Sequence, residues 1–84
     1  MKERLISEYV NRMTLEDVSK FAFNNGINLN NEELNLIYNY IKTDWHTICF
    51  GNPRAILDNL KNKLDNHSYQ KIESLYVYFK NRYL

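Results

Sequence analysis

Apolar residues return at intervals of three and four along nearly the whole chain, and nowhere is there the sustained alternation of a half-buried strand. The pattern therefore predicts helix almost throughout. Leu5, Ile6, Tyr9, Val10 and Met13 share one broad arc at about 100° per residue, which predicts a short amphipathic helix over about Lys2–Arg12. At "MTLED" the pattern is punctuated: Thr14 is placed to cap a second helix, Asp17 to reach back to the cap, and Met13 and Val18 to form a hydrophobic staple. The buried stripe expected of that helix is Leu15, Val18, Phe21 and Ala22, with Phe23 off it. It stops at "NNGI", where Gly26 takes a left-handed turn and Ile27 packs back.

The same grammar recurs at "LNNEEL": Asn30 caps, Glu33 completes the box, and Leu29 and Leu34 staple a third helix expected to run from Asn31 to about Asp44. Its main stripe is Leu34, Ile37, Tyr38, Ile41 and Trp45, while Leu36 and Tyr40 form a second strip about 120° away. A helix apolar on two sides belongs in the centre. "DWHTICFGNP", Asp44–Pro53, reads as a hinge: Trp45, Ile48 and Phe50 pin it, Gly51 permits the bend, Asn52 caps and Pro53 takes the first helical position. A fourth helix buries Ile56, Leu57, Leu60 and Leu64 and ends at "DNHS". From about Ser68 a last helix aligns Tyr69, Ile72, Leu75, Tyr76, Phe79 and Tyr83, with Val77 and Tyr78 outside that face. The expected fold is all-α, a compact single-domain bundle of about five short helices spanning residues 1–84.

Composition narrows the function classes. Eleven Lys and Arg against ten Asp and Glu leave a formal charge of +1 over 84 residues, so no bulk attraction to nucleic acid is built in. The apolar runs are far shorter than the roughly 20 residues of a membrane span, and "MKERLISEYVNR" carries charges where a signal peptide has its apolar segment. A cytoplasmic location is expected, without membrane attachment. A single Cys forms no internal disulfide.

Candidate chemistry gathers in the hinge. His46 and Cys49 have a His-x-x-Cys spacing with Asp44 beside them and His67 later, but a structural zinc needs four ligands and the chain has three Cys and His in all. A Cys49–His46 nucleophile lacks an orienting third group and a glycine-rich anion hole. Cys49, between Ile48 and Phe50, reads instead as a small buried hydrophobe and His46 as a surface residue. Glu16, Asp17, Glu32 and Glu33 sit in first helical turns, where the helix dipole accounts for them. "FGNPR" has neither the glycine spacing nor the lysine of a P-loop. The reading names no catalytic residue, no metal ligand, no cofactor and no small-molecule substrate.

Two binding surfaces remain. Phe23, Tyr40, Val77 and Tyr78 lie off the primary stripes, aromatic and aliphatic area of the kind that anchors protein interfaces. Arg54, Lys61, Lys63, Lys71, Lys80 and Arg82, interleaved with tyrosines in the last two helices, would serve nucleic acid if they converged into one patch. A helix-turn-helix across "NNGINLNN" is opposed by the glutamates of "NEELN", which repel phosphate.

Taken together, "NRMTLEDVSKFAFNNGINLNNEELNLIYNYIK", the short aromatic segment, "ILDNLKNKL" and "KIESLYVYFK" resemble the YqfT-like small helical proteins of low-GC Gram-positive bacteria, a domain-of-unknown-function family. The likeness rests on the Thr14 cap, the Gly26-Ile27 stop, the Asn30–Leu34 box and Phe50. It implies a compact helical fold and carries over no functional residue. The expected function is a non-enzymatic interaction or regulatory module with a protein partner or self-association. The alternative is a small nucleic-acid-binding protein.

Overall fold

Five helices follow one another with short joints, in a computed structural model that describes residues 2–84: α1 Lys2–Arg12, α2 Leu15–Asn24, α3 Asn31–Phe50, α4 Arg54–Lys63 and α5 Asn66–Tyr83. No strand occurs among the described residues, so the all-α expectation holds. α3 is the axis, packing against α1, α2 and α4, while α5 packs on α4. The Cα radius of gyration is 12.2 Å, close to the roughly 12 Å of a compact chain this long.

Both capping boxes form as the spacing predicts. The Asp17 amide donates to Thr14 Oγ1 at 3.1 Å and the Thr14 amide to Asp17 Oδ2 at 2.9 Å. The Glu33 amide donates to Asn30 Oδ1 at 2.8 Å and the Asn30 amide to Glu33 Oε1 at 2.9 Å. Four otherwise orphaned donors are satisfied within the chain. At the end of α2 the Ile27 amide donates to Ala22 O at 2.8 Å and the Gly26 amide to Phe23 O at 3.1 Å, with Gly26 at φ 72°: a Schellman closure with Ile27 buried behind it.

The Asp44–Pro53 hinge is corrected. α3 runs on to Phe50, and the only irregularity is a kink at Asp44 (φ −121°, ψ 20°). The reason is local: no Pro or Gly interrupts residues 31–50. The Thr43 hydroxyl donates to Asn39 O at 2.7 Å, a back-bond that bends a helix without ending it. Trp45 and Ile48 are half-buried, whereas Phe50 is exposed and stacks with Trp45 and His46 instead of entering the core. The true turn is Gly51–Pro53. Gly51 serves there by close approach, since a Cβ would stand 3.1 Å from Thr47 Cα. Pro53 is the cap residue of α4 rather than its first residue, and Asn52 Oδ1 accepts from the Arg54 amide at 3.0 Å. α5 likewise starts earlier than expected, because Asp65 caps it by accepting from the Ser68 amide.

The core has two poles joined by α3. Val10, Val18, Ala22 and Ile27 are buried at one pole. At the other, Leu60, Leu64 and Tyr69 form a cluster against which Leu36, Ile37, Tyr40, Ile56 and Ile72 pack. Ile37 of the main stripe and Leu36 and Tyr40 of the second strip of α3 meet the same cluster, so the two strips do not divide cleanly between neighbours. Several expected core residues lie outside: Leu5 and Tyr9 on α1, Phe21 on α2, and Phe79 and Tyr83 on α5 are exposed. On the short helices α1 and α2 one partner covers only a narrow stripe, and Phe21 falls about 60° beyond Val18.

Candidate functional site

The fold leaves apolar surface uncovered at Leu5 and Tyr9 on α1, at Phe21 and Phe23 on α2, and over the distal turns of α5, where four such residues fall close together in the chain. α5 has 18 residues and α4 has 10, about 27 Å against 15 Å of helix. α5 therefore outruns the helix it packs on. Its proximal half enters the core through Tyr69 and Ile72, and Leu75 and Tyr76 are half-buried, but from Val77 to Tyr83 every residue is exposed. Val77 is 48% exposed, Tyr78 58%, Phe79 38% and Tyr83 53%. Phe79 and Tyr83 continue the core stripe one and two turns past Tyr76 and stack on each other, ring centres 5.2 Å apart. Cations edge this surface: Lys80 Nζ lies 5.8 Å from the Tyr76 ring and the Arg82 guanidinium 6.0 Å from the Tyr78 ring. Beyond Glu73 the sequence has no carboxylate side chain.

Of the four expected interface residues, Val77 and Tyr78 are exposed on the same distal turns, but about 160° and 100° around the helix from Phe79. Phe23, 79% exposed, stands on a different one. It helps line a groove of about 410 Å³ between α2 and the start of α3, with Ser19, Ala22, Ile27, Asn28, Leu29, Asn30 and Leu34. Tyr40 is corrected: it is half-buried against the Leu60 cluster, and its hydroxyl accepts from Asn59 Nδ2 at 2.7 Å. Its position on the second strip of α3 made it a core residue of the α4 and α5 pole.

The six basic residues do not share a face. Arg54 and Lys61 line a cleft of about 300 Å³ together with Asp58 and Glu73, so opposite charges offset one another there. Lys63 is in the last turn of α4. Lys71 Nζ approaches Gly26. Lys80 lies about 180° from Lys71 around α5, and about 200° from Arg82.

In the Asp44–Pro53 segment Cys49 is a half-buried free thiol. Burial pushes the Cys49 thiol above its ordinary value, which keeps thiolate scarce near neutrality. His46 is exposed, with its Nε2 3.1 Å from Glu3 Oε2, a tie between α1 and α3. Among the described residues no three His, Cys, Asp or Glu side chains gather as a metal site would need. In the Arg54 cleft the Tyr69 hydroxyl donates to Glu73 Oε2 at 3.0 Å. Burial raises the phenol above its usual value, and the Glu73 carboxylate adds to the shift. No described helix is long and apolar enough to cross a membrane.

Periodicity alone missed Phe79, Tyr83 and the α2 groove as surfaces. A signal was present for the first two: the last periodic segment is longer than the one between Pro53 and "DNHS", so its final turns have nothing to pack on. The groove is built within residues 19–34 by the angle at which α2, its loop and the start of α3 meet, and periodicity does not specify that angle. No family model matches the chain, and no curated protein or solved structure is significantly similar to it.

Proposed function

We propose that the chain is a small non-enzymatic interaction module of the cytoplasm that docks a protein partner through the distal turns of α5. The observation that carries the reading is the unbroken exposure of Val77–Tyr83, which includes four large apolar or aromatic side chains on a helix already anchored at its other end. A pre-formed helix loses little backbone entropy on binding, and aromatic rings give large contact area for few rotatable bonds. Lys80 and Arg82 beside the rings favour a partner surface that is apolar and acidic. Kinship with the YqfT-like proteins is part of the proposal for the fold only, because the motifs behind it are caps and core positions.

The test is a photo-cross-linking residue in place of Tyr78 in cells. Discrete adducts are expected, lost when Phe79→Ser and Tyr83→Ser are added to a chain whose circular dichroism is unchanged. Absence of adducts, or adducts indifferent to those two substitutions, overturns the reading.

A further inference from the structure

Resting on that reading, we infer that the partner is a second copy of this chain, whose α2 groove receives the distal α5 surface in a head-to-tail contact. The groove is lined by Ala22, Phe23, Ile27, Leu29 and Leu34 together with Ser19, Asn28 and Asn30, a mixed apolar and polar lining open to solvent at Phe23. Its volume, about 410 Å³, falls in the roughly 300–1,000 Å³ range of clefts that take up ring-sized groups. The stretch that builds it, residues 15–34, carries four carboxylates against one lysine: Glu16 pairs with Lys20 at 3.2 Å, Asp17 and Glu33 are tied into the capping boxes, and all four flank the groove without lining it, while Lys71 Nζ approaches the loop at Gly26. The distal α5 segment, residues 74–84, carries two cations and no acidic side chain. An apolar surface edged with positive charge thus has its counterpart, in shape class and sign, on the same chain.

The two surfaces cannot meet within one molecule. Ser68, only 1% exposed, donates from its hydroxyl to Asn28 O at 3.2 Å and so fastens the start of α5 to the groove's own loop. Tyr83 lies fifteen residues further along the same helix, about 22 Å away. α5 is a strut with the groove at one end and the docking surface at the other. A tail-to-tail pair would bring Lys80 and Arg82 of two copies together, which like charge opposes. The contact that remains is heterologous, and heterologous contacts propagate into rings or open chains.

Sedimentation and light scattering of the pure protein, from about 10 μM to 1 mM, measure this directly. The average mass should climb past twice the 10.2 kDa of one chain with concentration, and fall back as salt rises. Phe79→Ser with Tyr83→Ser removes the plug. Phe23→Lys, at a position 79% exposed and in the last turn of α2 where a cation suits the helix dipole, removes the ring and repels Lys80 and Arg82. Each variant alone should stay monomeric, and an equimolar mixture should stop at a one-to-one pair, because only one intact interface can form. A wild-type chain that is monomeric throughout overturns the inference, as does a mixture that stays monomeric or association indifferent to Phe23→Lys. If the pure chain is monomeric while the Tyr78 cross-link to another protein persists, the self-association falls and the docking reading stands.

Discussion

Lys42 shows how a single side chain ties two helices together. It rises from α3 and donates to Val10 O at 2.7 Å and Asn11 O at 3.2 Å, placing a cation at the negative end of α1, where Val10 O also accepts from the Met13 amide at 3.2 Å. Lys42→Met keeps the length of the stem and removes both bonds. It is expected to cost about 1–3 kcal/mol, read as a lower urea midpoint with an unchanged slope. Asp65 supplies the pH dependence. Hydrogen bonding with Ser68 holds its carboxyl below the ordinary value, and Thr14, chiefly through its backbone amide, does the same for Asp17. For a folded-state value that is depressed, the stabilisation is complete above the unfolded value of about 4 and is lost as pH falls through it towards the folded value. The melting temperature should therefore be level above about pH 5 and decline below about pH 4. Asp65→Asn, which keeps the accepting oxygen and loses the titration, should make that decline shallower.

Among the elements, α2 is the one most dependent on its ends. Ten residues is too short for a helix to stand alone in water, and its stability comes from the Thr14 box, the Gly26 closure and the burial of Val18 and Ala22 against α3. At Gly26 the φ of 72° is the left-handed conformation that costs an L-residue roughly 1–2 kcal/mol. A Cβ there would also come within 2.8 Å of Lys71 Nζ, the far end of a flexible side chain that can move aside. Gly26→Ala should consequently lower stability by about 1–2 kcal/mol, with the backbone and not the clash as the source. Lys71→Ala in the same background should recover little of it in thermal or urea unfolding. α3 illustrates the opposite case. Twenty residues with no breaker carry it through the Asp44 kink, and the bend redirects Trp45 and Phe50 into an aromatic cluster with His46.

For the molecule as a whole, stability and the proposed docking fall to different residues. The buried poles lie on either side of α3, and the distal turns of α5 extend beyond both. Phe79→Ser with Tyr83→Ser should therefore leave the unfolding free energy within about 0.5 kcal/mol per site, measured by urea unfolding at a concentration where the chain is monomeric. A much larger loss would mean that the overhanging turns belong to the core, and would remove the basis for the docking surface.

Helix order, both capping boxes, the Gly26 closure and the central place of α3 were legible in the chain, because each depends on residues three to seven apart whose geometry the helix itself imposes. The Asp44–Pro53 segment was misread for a related reason: its unusual residues suggested a loop, while the absence of any breaker before Gly51 allowed the helix to continue. What only the tertiary structure decided is which apolar residues are covered. Tyr40 went inward and Phe21, Phe79 and Tyr83 stayed out because burial depends on the length and position of a partner helix, and the period of a helix's own sequence specifies a face without specifying what reaches it.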